Sequence, residues 1–184
     1  MAAAFAAGLI VPVTAACSSS PSASGPKSSP VAGQAFGFAT TQGIDSAGMF
    51  DAKYTCDTTT DYSPGFKVSS VPAGTAELAL TMVDLDDGKV HWLQVGIPAA
   101  STDLKPHALA AGAREILNDI GEATYDGPCP PHGATHKYQI TLYALPGPAS
   151  ASLGSGMTPT ETLHALESKA SATAQLSAAY TRHA

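Results

Sequence analysis

Three stretches of the chain carry apolar residues in the pattern that β-strands produce. Residues 76–83 (AELALTMV) are mostly apolar, and residues 90–97 (VHWLQVGI) alternate apolar and polar positions with a few breaks. In residues 137–145 (KYQITLYAL) the alternation is regular. Because successive side chains of a strand point to opposite faces, these stretches predict strands of a sheet with at least one buried face.

Turn-forming residues separate the predicted strands. They are Pro72-Ala73-Gly74, Asp87-Gly88, Pro98 and the dense segment 127–131 (GPCPP). Asp87-Gly88 lies directly between two predicted strands, and glycine adopts a positive φ without steric cost. The dipeptide therefore predicts a tight hairpin, which makes the two flanking strands antiparallel.

Two segments have the features of helices. Residues 108–116 are rich in alanine but short, whereas residues 160–180 have a stronger start signal. Thr158 is a suitable N-cap, Pro159 suits the first turn, and Glu161 follows Thr158 by three residues as in a capping box. Apolar positions then recur at helical spacing, with a break expected around Ser171. Taken together, the elements predict a mostly β domain with one or two helices toward the C-terminus.

Composition narrows the class of protein. The chain has 184 residues, of which 44% are hydrophobic, which is enough for one core. Its formal net charge of −6 argues against a nucleic-acid-binding protein, which needs a basic face to meet phosphates. No apolar run reaches the roughly 18 residues that would cross a bilayer as a helix.

The first thirty residues predict an export signal and a flexible tether. Residues 1–16 (MAAAFAAGLIVPVTAA) are small and apolar and end at Cys17, which resembles a bacterial lipoprotein signal cut before a lipidated cysteine. A plain secretory signal or a short buried segment are the alternatives. Residues 18–30 (SSSPSASGPKSSP) cannot bury apolar surface and predict a flexible spacer.

The resulting organisation is a signal peptide at 1–16, a lipidated Cys17 with its tether at 17–33, and a folded domain at 34–184. It predicts a protein anchored by lipid to a membrane of the bacterial cell envelope, with its domain outside the cytoplasm.

Cysteine usage agrees with that location. If Cys17 carries lipid, Cys56 and Cys129 remain as an even pair, and such a pair in an oxidising envelope is often a disulfide. Two buried free thiols or two metal ligands are the alternatives. The metal alternative is weak because neither cysteine lies in a CxxC pair.

Two short polar stretches are candidates for chemistry. One contains Asp84, Asp86 and, after the hairpin, His91; the other is residues 129–138, which contain two prolines and His136. In an extended chain Asp84 and Asp86 would point to the same side. Carboxylates beside imidazoles could bind a divalent metal, perform acid–base chemistry or hold a phosphate. A turn, a packed histidine and a stiff loop would give the same residues, so these readings stay open.

The motifs resemble those of the phosphatidylethanolamine-binding protein family, in its bacterial Raf-kinase-inhibitor-like (YbhB/YbcL-type) branch. The resemblance covers about residues 50 to 182 and keeps the family's order of motifs. Residues 127–133 (GPCPPHG) followed by His136-Lys137-Tyr138 form its most specific part. The other matching segments are Tyr54-Thr55-Cys56-Asp57, Ser63-Pro64, Val71-Pro72-Ala73-Gly74-Thr75, Asp84-Leu85-Asp86, Val90-His91-Trp92, Gly96-Ile97-Pro98-Ala99, Asn118-Asp119-Ile120-Gly121 and Leu142-Tyr143-Ala144-Leu145.

The resemblance implies a β-sandwich of two antiparallel sheets with a few peripheral helices, including a C-terminal one. It also implies a small anion pocket at one end of the domain. By position, that pocket falls on Asp84, Asp86, His91, Pro130, Pro131, His136 and Tyr138. Family ligands are phosphate-bearing head groups and simple anions, and some members inhibit kinases or proteases. Two departures from the family pattern are Leu85 in place of proline and Lys137 in place of arginine, and lysine lacks the planar fork of arginine.

The function expected from these observations is non-catalytic binding of a small anionic or phosphorylated ligand, with no cofactor and no metal. His91 and His136 would donate hydrogen bonds to the anion, while Asp84 and Asp86 would orient the imidazoles or bind an ammonium group. One alternative is a protein-inhibitor module that acts on a protease or kinase. Another is a metal-dependent hydrolase that uses the Asp/His cluster, although the sequence has neither a nucleophile elbow nor an HExxH pair.

Overall fold

The computed structural model describes residues 35–59 and 62–183. The predicted signal peptide, the lipidated Cys17 and the tether lie outside the described residues, as does the first residue of the predicted domain. Across the described segments, we find no helix of sufficient length and hydrophobicity to span a bilayer.

Eight strands in the described part of the chain form two antiparallel sheets. The three-stranded sheet has the order β1-β2-β5, with β1 at Gly37–Gln42, β2 at Gly65–Ser69 and β5 at Asp103–Leu104. The five-stranded sheet has the order β6-β4-β3-β7-β8, with β3 at Glu77–Asp84, β4 at Val90–Pro98, β6 at Arg114–Glu115, β7 at Thr135–Leu145 and β8 at Ala172–Thr181. The predicted fold class, two antiparallel sheets, is confirmed.

The five-stranded sheet is buried on both faces. One face packs toward the three-stranded sheet through side chains such as Leu80 and Ile140, which meet Phe66 of β2. The opposite face packs under a helix and loops, with Leu93 and Tyr143 in this second cluster. A strand covered on both sides can be apolar at every position, which explains why the alternation in β3 is weak.

The only α-helix among the described residues, α1 at Pro159–Lys169, starts where the sequence predicts. The Thr158 hydroxyl accepts from the backbone N–H of Glu161 at 3.2 Å, and the Glu161 carboxylate accepts from the backbone N–H of Thr158 at 2.8 Å. These two bonds form the predicted capping box.

The predicted helix is wrong beyond the break at Ser171, because residues 172–181 form strand β8. Burial alternates along most of this segment, and β8 pairs with β7 from Ala172 to Thr181. Ten residues of strand pairing outweigh the helix preference of the alanines. The described chain therefore ends on a strand that follows the helix.

The predicted helix at residues 108–116 is also wrong. The segment consists of turns followed by β6, which pairs with β4 through Gln94 and Val95. Leu109 is 47% exposed and Gly112 has a φ of +87°. Alanine content favours a helix only weakly, and this segment has no apolar stripe to bury.

The predicted hairpin between β3 and β4 is confirmed. Gly88 has a φ of +77° and donates its N–H to the Asp84 carbonyl at 3.0 Å. Asp84 in turn donates its N–H to the Lys89 carbonyl at 2.9 Å. The turn therefore closes directly after the last residue of β3.

We expect Leu166→Ala to lower the free energy of unfolding by about 2–4 kcal/mol, because it opens a cavity between α1 and the sheet. Leu166 is fully buried there. Leu117→Ala is the matched control, since Leu117 is 49% exposed and its truncation should change stability by less than about 0.5 kcal/mol. Urea denaturation measures both, and equal losses in the two variants would contradict this packing.

Candidate functional site

Strand pairing brings the two polar stretches of the sequence together. β3 and β7 are antiparallel, and Asp84, the last residue of β3, pairs with Tyr138 near the start of β7. His136 lies two residues before Tyr138, so both side chains project from the same face of β7. The end of one strand and the beginning of the other thus form a single polar cluster.

The centre of the cluster is the buried carboxylate of Asp84, which is 2% exposed. Its Oδ2 lies 2.7 Å from Nδ1 of His136. Its Oδ1 accepts the backbone N–H groups of Asp86 at 2.8 Å and Asp87 at 3.4 Å. Both oxygens are therefore occupied, and the bond to Oδ2 fixes the orientation of the imidazole.

The two partners shift each other's pKa in opposite directions. Burial alone would raise the pKa of Asp84, but the hydrogen bonds from His136 and from the Asp86 amide outweigh it and lower that pKa below its ordinary value. The hydrogen bond to Asp84 raises the pKa of His136 against the effect of burial, with the charges of Asp86 and Asp87 adding to it. The pair therefore favours imidazolium and carboxylate.

Tyr138 places an unpaired donor next to this ion pair. Its side chain is fully buried, and its hydroxyl has no hydrogen-bond partner of normal geometry within residues 35–59 and 62–183. The hydroxyl lies close to the Asp84 carboxylate and to the backbone of Cys129. Burial and the Asp84 charge raise the pKa of Tyr138 far above its ordinary value, so it stays protonated.

An unpaired buried hydroxyl costs a protein about 1–3 kcal/mol. The Tyr138 hydroxyl is therefore a donor that a bound acceptor could satisfy.

His91 lies against the ring of Tyr138. It is the extra residue of a β-bulge in β4, since Met82 pairs with Trp92 and Val83 pairs with Val90. The His91 and Tyr138 rings meet edge to face at 5.4 Å between centroids.

Asp126 holds the imidazole of His91. Nδ1 of His91 lies 3.0 Å from the Asp126 carbonyl oxygen and 3.2 Å from its carboxylate. Since Nδ1 donates to these oxygens, Nε2 is the nitrogen left for another partner.

The proline-rich loop passes the same cluster. Cys129 is joined to Cys56 by a disulfide, with the two Cα atoms 5.4 Å apart, as the cysteine count favoured. The Cys129 backbone lies close to the Tyr138 hydroxyl, and Pro130 and Pro131 follow directly. Pro130 is buried and Pro131 is exposed, so only the second proline presents its ring to solvent.

Asp86 lies in a turn and not in the extended chain from which a shared side with Asp84 was expected. β3 ends at Asp84 and the next three residues turn, so the period of two no longer applies. Asp86 is exposed, and its carboxylate accepts the backbone N–H of Lys137 at 2.7 Å. It fastens the turn to β7 at the rim of the cluster.

Two acidic residues of the cluster were not among the predicted site residues. Asp126 precedes Gly127-Pro128, a turn signal that marks a loop but says nothing about contact with His91. Asp87 was visible in the acidic run, but only the folded turn brings its carboxylate within 4.8 Å of ligand atoms of Asp84 and His136. These three residues are a candidate set for a divalent cation, and Nε2 of His136 could serve as a ligand while Nδ1 keeps its bond to Asp84.

Comparison with known proteins identifies relatives of this chain. Residues 40–181 match the sequence model of the family described as phosphatidylethanolamine-binding protein. A UPF0098 protein of Methanothermobacter thermautotrophicus is 34% identical over 150 residues, which cover 77% of this chain and 97% of that protein. A Mycobacterium tuberculosis protein named as a lipoprotein, LppC, is 40% identical over 111 residues, which cover 58% of this chain. The match spans only 54% of LppC, or about half its length.

A solved structure has the same fold. The crystal structure of Escherichia coli YbcL, titled as a new member of the mammalian PEBP family, superposes with a TM-score of 0.70 at 28% sequence identity. The superposition covers 79% of this chain and 98% of YbcL.

We expect the pKa of His136 in the folded protein to lie above that of histidine in the unfolded chain, because Asp84 accepts its N–H. Asp84→Asn should lower the His136 pKa by removing that charge. Asp87→Asn is the control and should lower it less, since the Asp87 charge contributes least to the shift. Imidazole NMR signals followed from pH 5 to 9 measure all three proteins. A His136 pKa that is unchanged in Asp84→Asn would contradict the ion pair.

Proposed function

The chain belongs to the phosphatidylethanolamine-binding protein family, and on that premise we propose that its domain binds a small phosphorylated ligand without transforming it. The observation that supports this most is the fully buried Tyr138 hydroxyl, which has no hydrogen-bond partner of normal geometry in the described part of the chain. Beside it stands the His136 imidazolium, with Nδ1 committed to Asp84 and Nε2 left as a donor. Two adjacent donors, one of them charged, suit the oxygens of a phosphate.

The charges around these donors favour a zwitterionic ligand over a bare phosphate. The charges of Asp84, Asp86 and Asp87 all act on the His136 imidazole, and a phosphate dianion would meet this excess of negative charge. A phosphate that also carries an ammonium group would reverse the penalty. In this arrangement the phosphate accepts from Tyr138 and His136, and the ammonium group lies near the exposed carboxylates of Asp86 or Asp87. Phosphoethanolamine is the simplest ligand of this class.

The state of the side chains supports binding rather than catalysis. Asp84 is held by His136 and by two backbone amides, so it is not free to act as a general base. Tyr138 is held in its protonated form by burial and by the Asp84 charge.

We further propose that the domain is tethered in the bacterial envelope by a lipid on Cys17. The relative LppC is named as a lipoprotein, and the 1–17 segment of this chain resembles a lipoprotein signal. The Ser/Pro/Gly tract after Cys17 would let the domain reach away from the membrane surface.

In a bacterial host, we expect the expressed full-length chain to sediment with membranes and the Cys17→Ser variant to be lost from them, because the variant has no thiol to carry lipid. Immunoblots of the membrane and supernatant fractions measure the distribution. Ser18→Ala is the control and should stay with the membranes. Equal sedimentation of Cys17→Ser and wild type would contradict the lipid anchor.

At pH 6 we expect phosphoethanolamine to bind more tightly than inorganic phosphate. Tyr138→Phe should weaken phosphoethanolamine binding at least about tenfold, since a hydrogen bond to a charged group is worth roughly 1.5–3 kcal/mol. It should change stability little, because the hydroxyl that it removes makes no hydrogen bond of normal geometry in the described residues. His136→Ala should weaken binding as well. Isothermal titration calorimetry measures these affinities.

The pH dependence gives a second readout of the same experiment. Wild-type affinity should fall as pH rises through the raised pKa of His136, because the imidazolium donor is then lost. His164→Ala, which changes an exposed histidine on α1, is the matched control and should bind as wild type does. Wild-type affinity in both Tyr138→Phe and His136→Ala would contradict the proposal that these two residues bind the phosphate.

A further inference from the structure

Cys129 connects the candidate site to a distant part of the chain. Its backbone lies beside the Tyr138 hydroxyl, while its sulfur is bonded to Cys56, 73 residues earlier in the sequence. Pro130 and Pro131 follow it directly. We call these two prolines the proline wall. The disulfide therefore ties the proline wall to the segment that follows a 3-10 helix at Ala52–Tyr54.

The disulfide is accessible to a reagent in solution. Cys129 is exposed and Cys56 is partly exposed, unlike the core side chains around them. Accessible disulfides are the ones that exchange with external thiols, whereas buried ones are protected from attack.

A cation is fixed next to one sulfur of the bond. Nη1 of Arg182 lies 3.4 Å from Sγ of Cys129. Its Nε donates to the Asp57 carboxylate at 2.8 Å, and Asp57 also accepts the hydroxyl of Tyr180. The guanidinium is thereby held in place at the sulfur. A nearby cation stabilises a thiolate, which makes Cys129 the better leaving group when the bond is attacked.

We propose that the Cys56–Cys129 bond is a thiol-sensitive latch that sets the ligand affinity of the site. A thiolate of an external dithiol attacks Sγ of Cys56, the S–S bond breaks, and Cys129 leaves as a thiolate beside Arg182. The second thiol of the reductant, as its thiolate, then displaces Cys56 from the mixed disulfide. The two cysteines end reduced and the dithiol ends as a disulfide.

Opening the latch frees the wall while the sheets stay paired. Without the disulfide, the cysteine segments keep the bond from Cys56 N–H to the Pro128 carbonyl at 3.2 Å and the bond from the Tyr125 hydroxyl to the Tyr54 carbonyl at 2.8 Å. β7 retains its full pairing with β3 and β8, which holds His136 and Tyr138. The donors therefore remain, but the loop at 127–131 loses its covalent tie and becomes more mobile. Because a preorganised site binds more tightly than a mobile one, affinity falls on reduction.

This inference rests on the proposed function, and its test separates the two. Calorimetry with phosphoethanolamine is run on the oxidised protein and on protein reduced with dithiothreitol, and amide hydrogen exchange is recorded on both without ligand. We expect at least fivefold weaker binding after reduction. We also expect faster exchange at the amides of residues 127, 129 and 132–134, with the amides of β3 and β7 still protected. The three prolines of this segment have no N–H and report nothing.

Each other outcome has a distinct meaning. Oxidised protein that does not bind phosphoethanolamine overturns the proposed function, while faster exchange confined to 127–134 would still support the opening of the loop. Equal affinity and equal exchange in the two states overturn the latch alone. Loss of protection throughout the sheets on reduction also overturns it, because the disulfide would then be a staple of the whole fold.

Two sets of variants test the parts of the latch. The double variant Cys56→Ser/Cys129→Ser should bind phosphoethanolamine as weakly as reduced wild type does, and dithiothreitol should not change its affinity. Arg182→Gln should slow reduction by dithiothreitol at least threefold at low salt, whereas Arg182→Lys, which keeps a cation, should slow it less. Lys67→Gln removes an exposed cation from β2 and is the control for net charge. An unchanged reduction rate in Arg182→Gln would overturn the role of the guanidinium.

Discussion

The buried carboxylate of Asp84 is the contact on which the rest of the site depends. The side chain is buried, and an ionised group there is tolerated only because both of its oxygens accept hydrogen bonds. Those donors come from the turn after β3 and from His136 at the start of β7. One side chain thus fixes the turn, the orientation of the imidazole and the electrostatic surroundings of Tyr138.

The fold provides the position in which such a carboxylate can exist. β3 and β7 are neighbours in a sheet covered on both faces, so their ends meet under loops rather than in open solvent. The disulfide holds one of those loops beside Tyr138. A buried ion pair next to an unpaired hydroxyl lowers the stability of the fold, and such destabilising features are typical of ligand-binding sites.

The sequence could predict those features that depend on local pattern. The three long strands, the Asp87-Gly88 hairpin and the Thr158 cap follow from alternation, turn chemistry and residue type. The cysteine count made a Cys56–Cys129 disulfide a candidate, but free thiols and metal ligands stayed open until the structure showed the bond. It could not predict β8, because alanine-rich residues 172–181 become a strand only through pairing with β7. It also could not predict that the strand ends at Asp84 and turns through Asp86, since the end of a strand depends on tertiary hydrogen bonds. The contact of Asp126 with His91 joins residues 35 positions apart and has no local signal.

A crystal structure of the oxidised protein with phosphoethanolamine tests the central claim most directly. The account predicts phosphate oxygens within hydrogen-bond distance of the Tyr138 hydroxyl and of Nε2 of His136, with the Asp84–His136 bond intact. Ligand bound elsewhere on the domain, with only water at the Tyr138 hydroxyl, would contradict it.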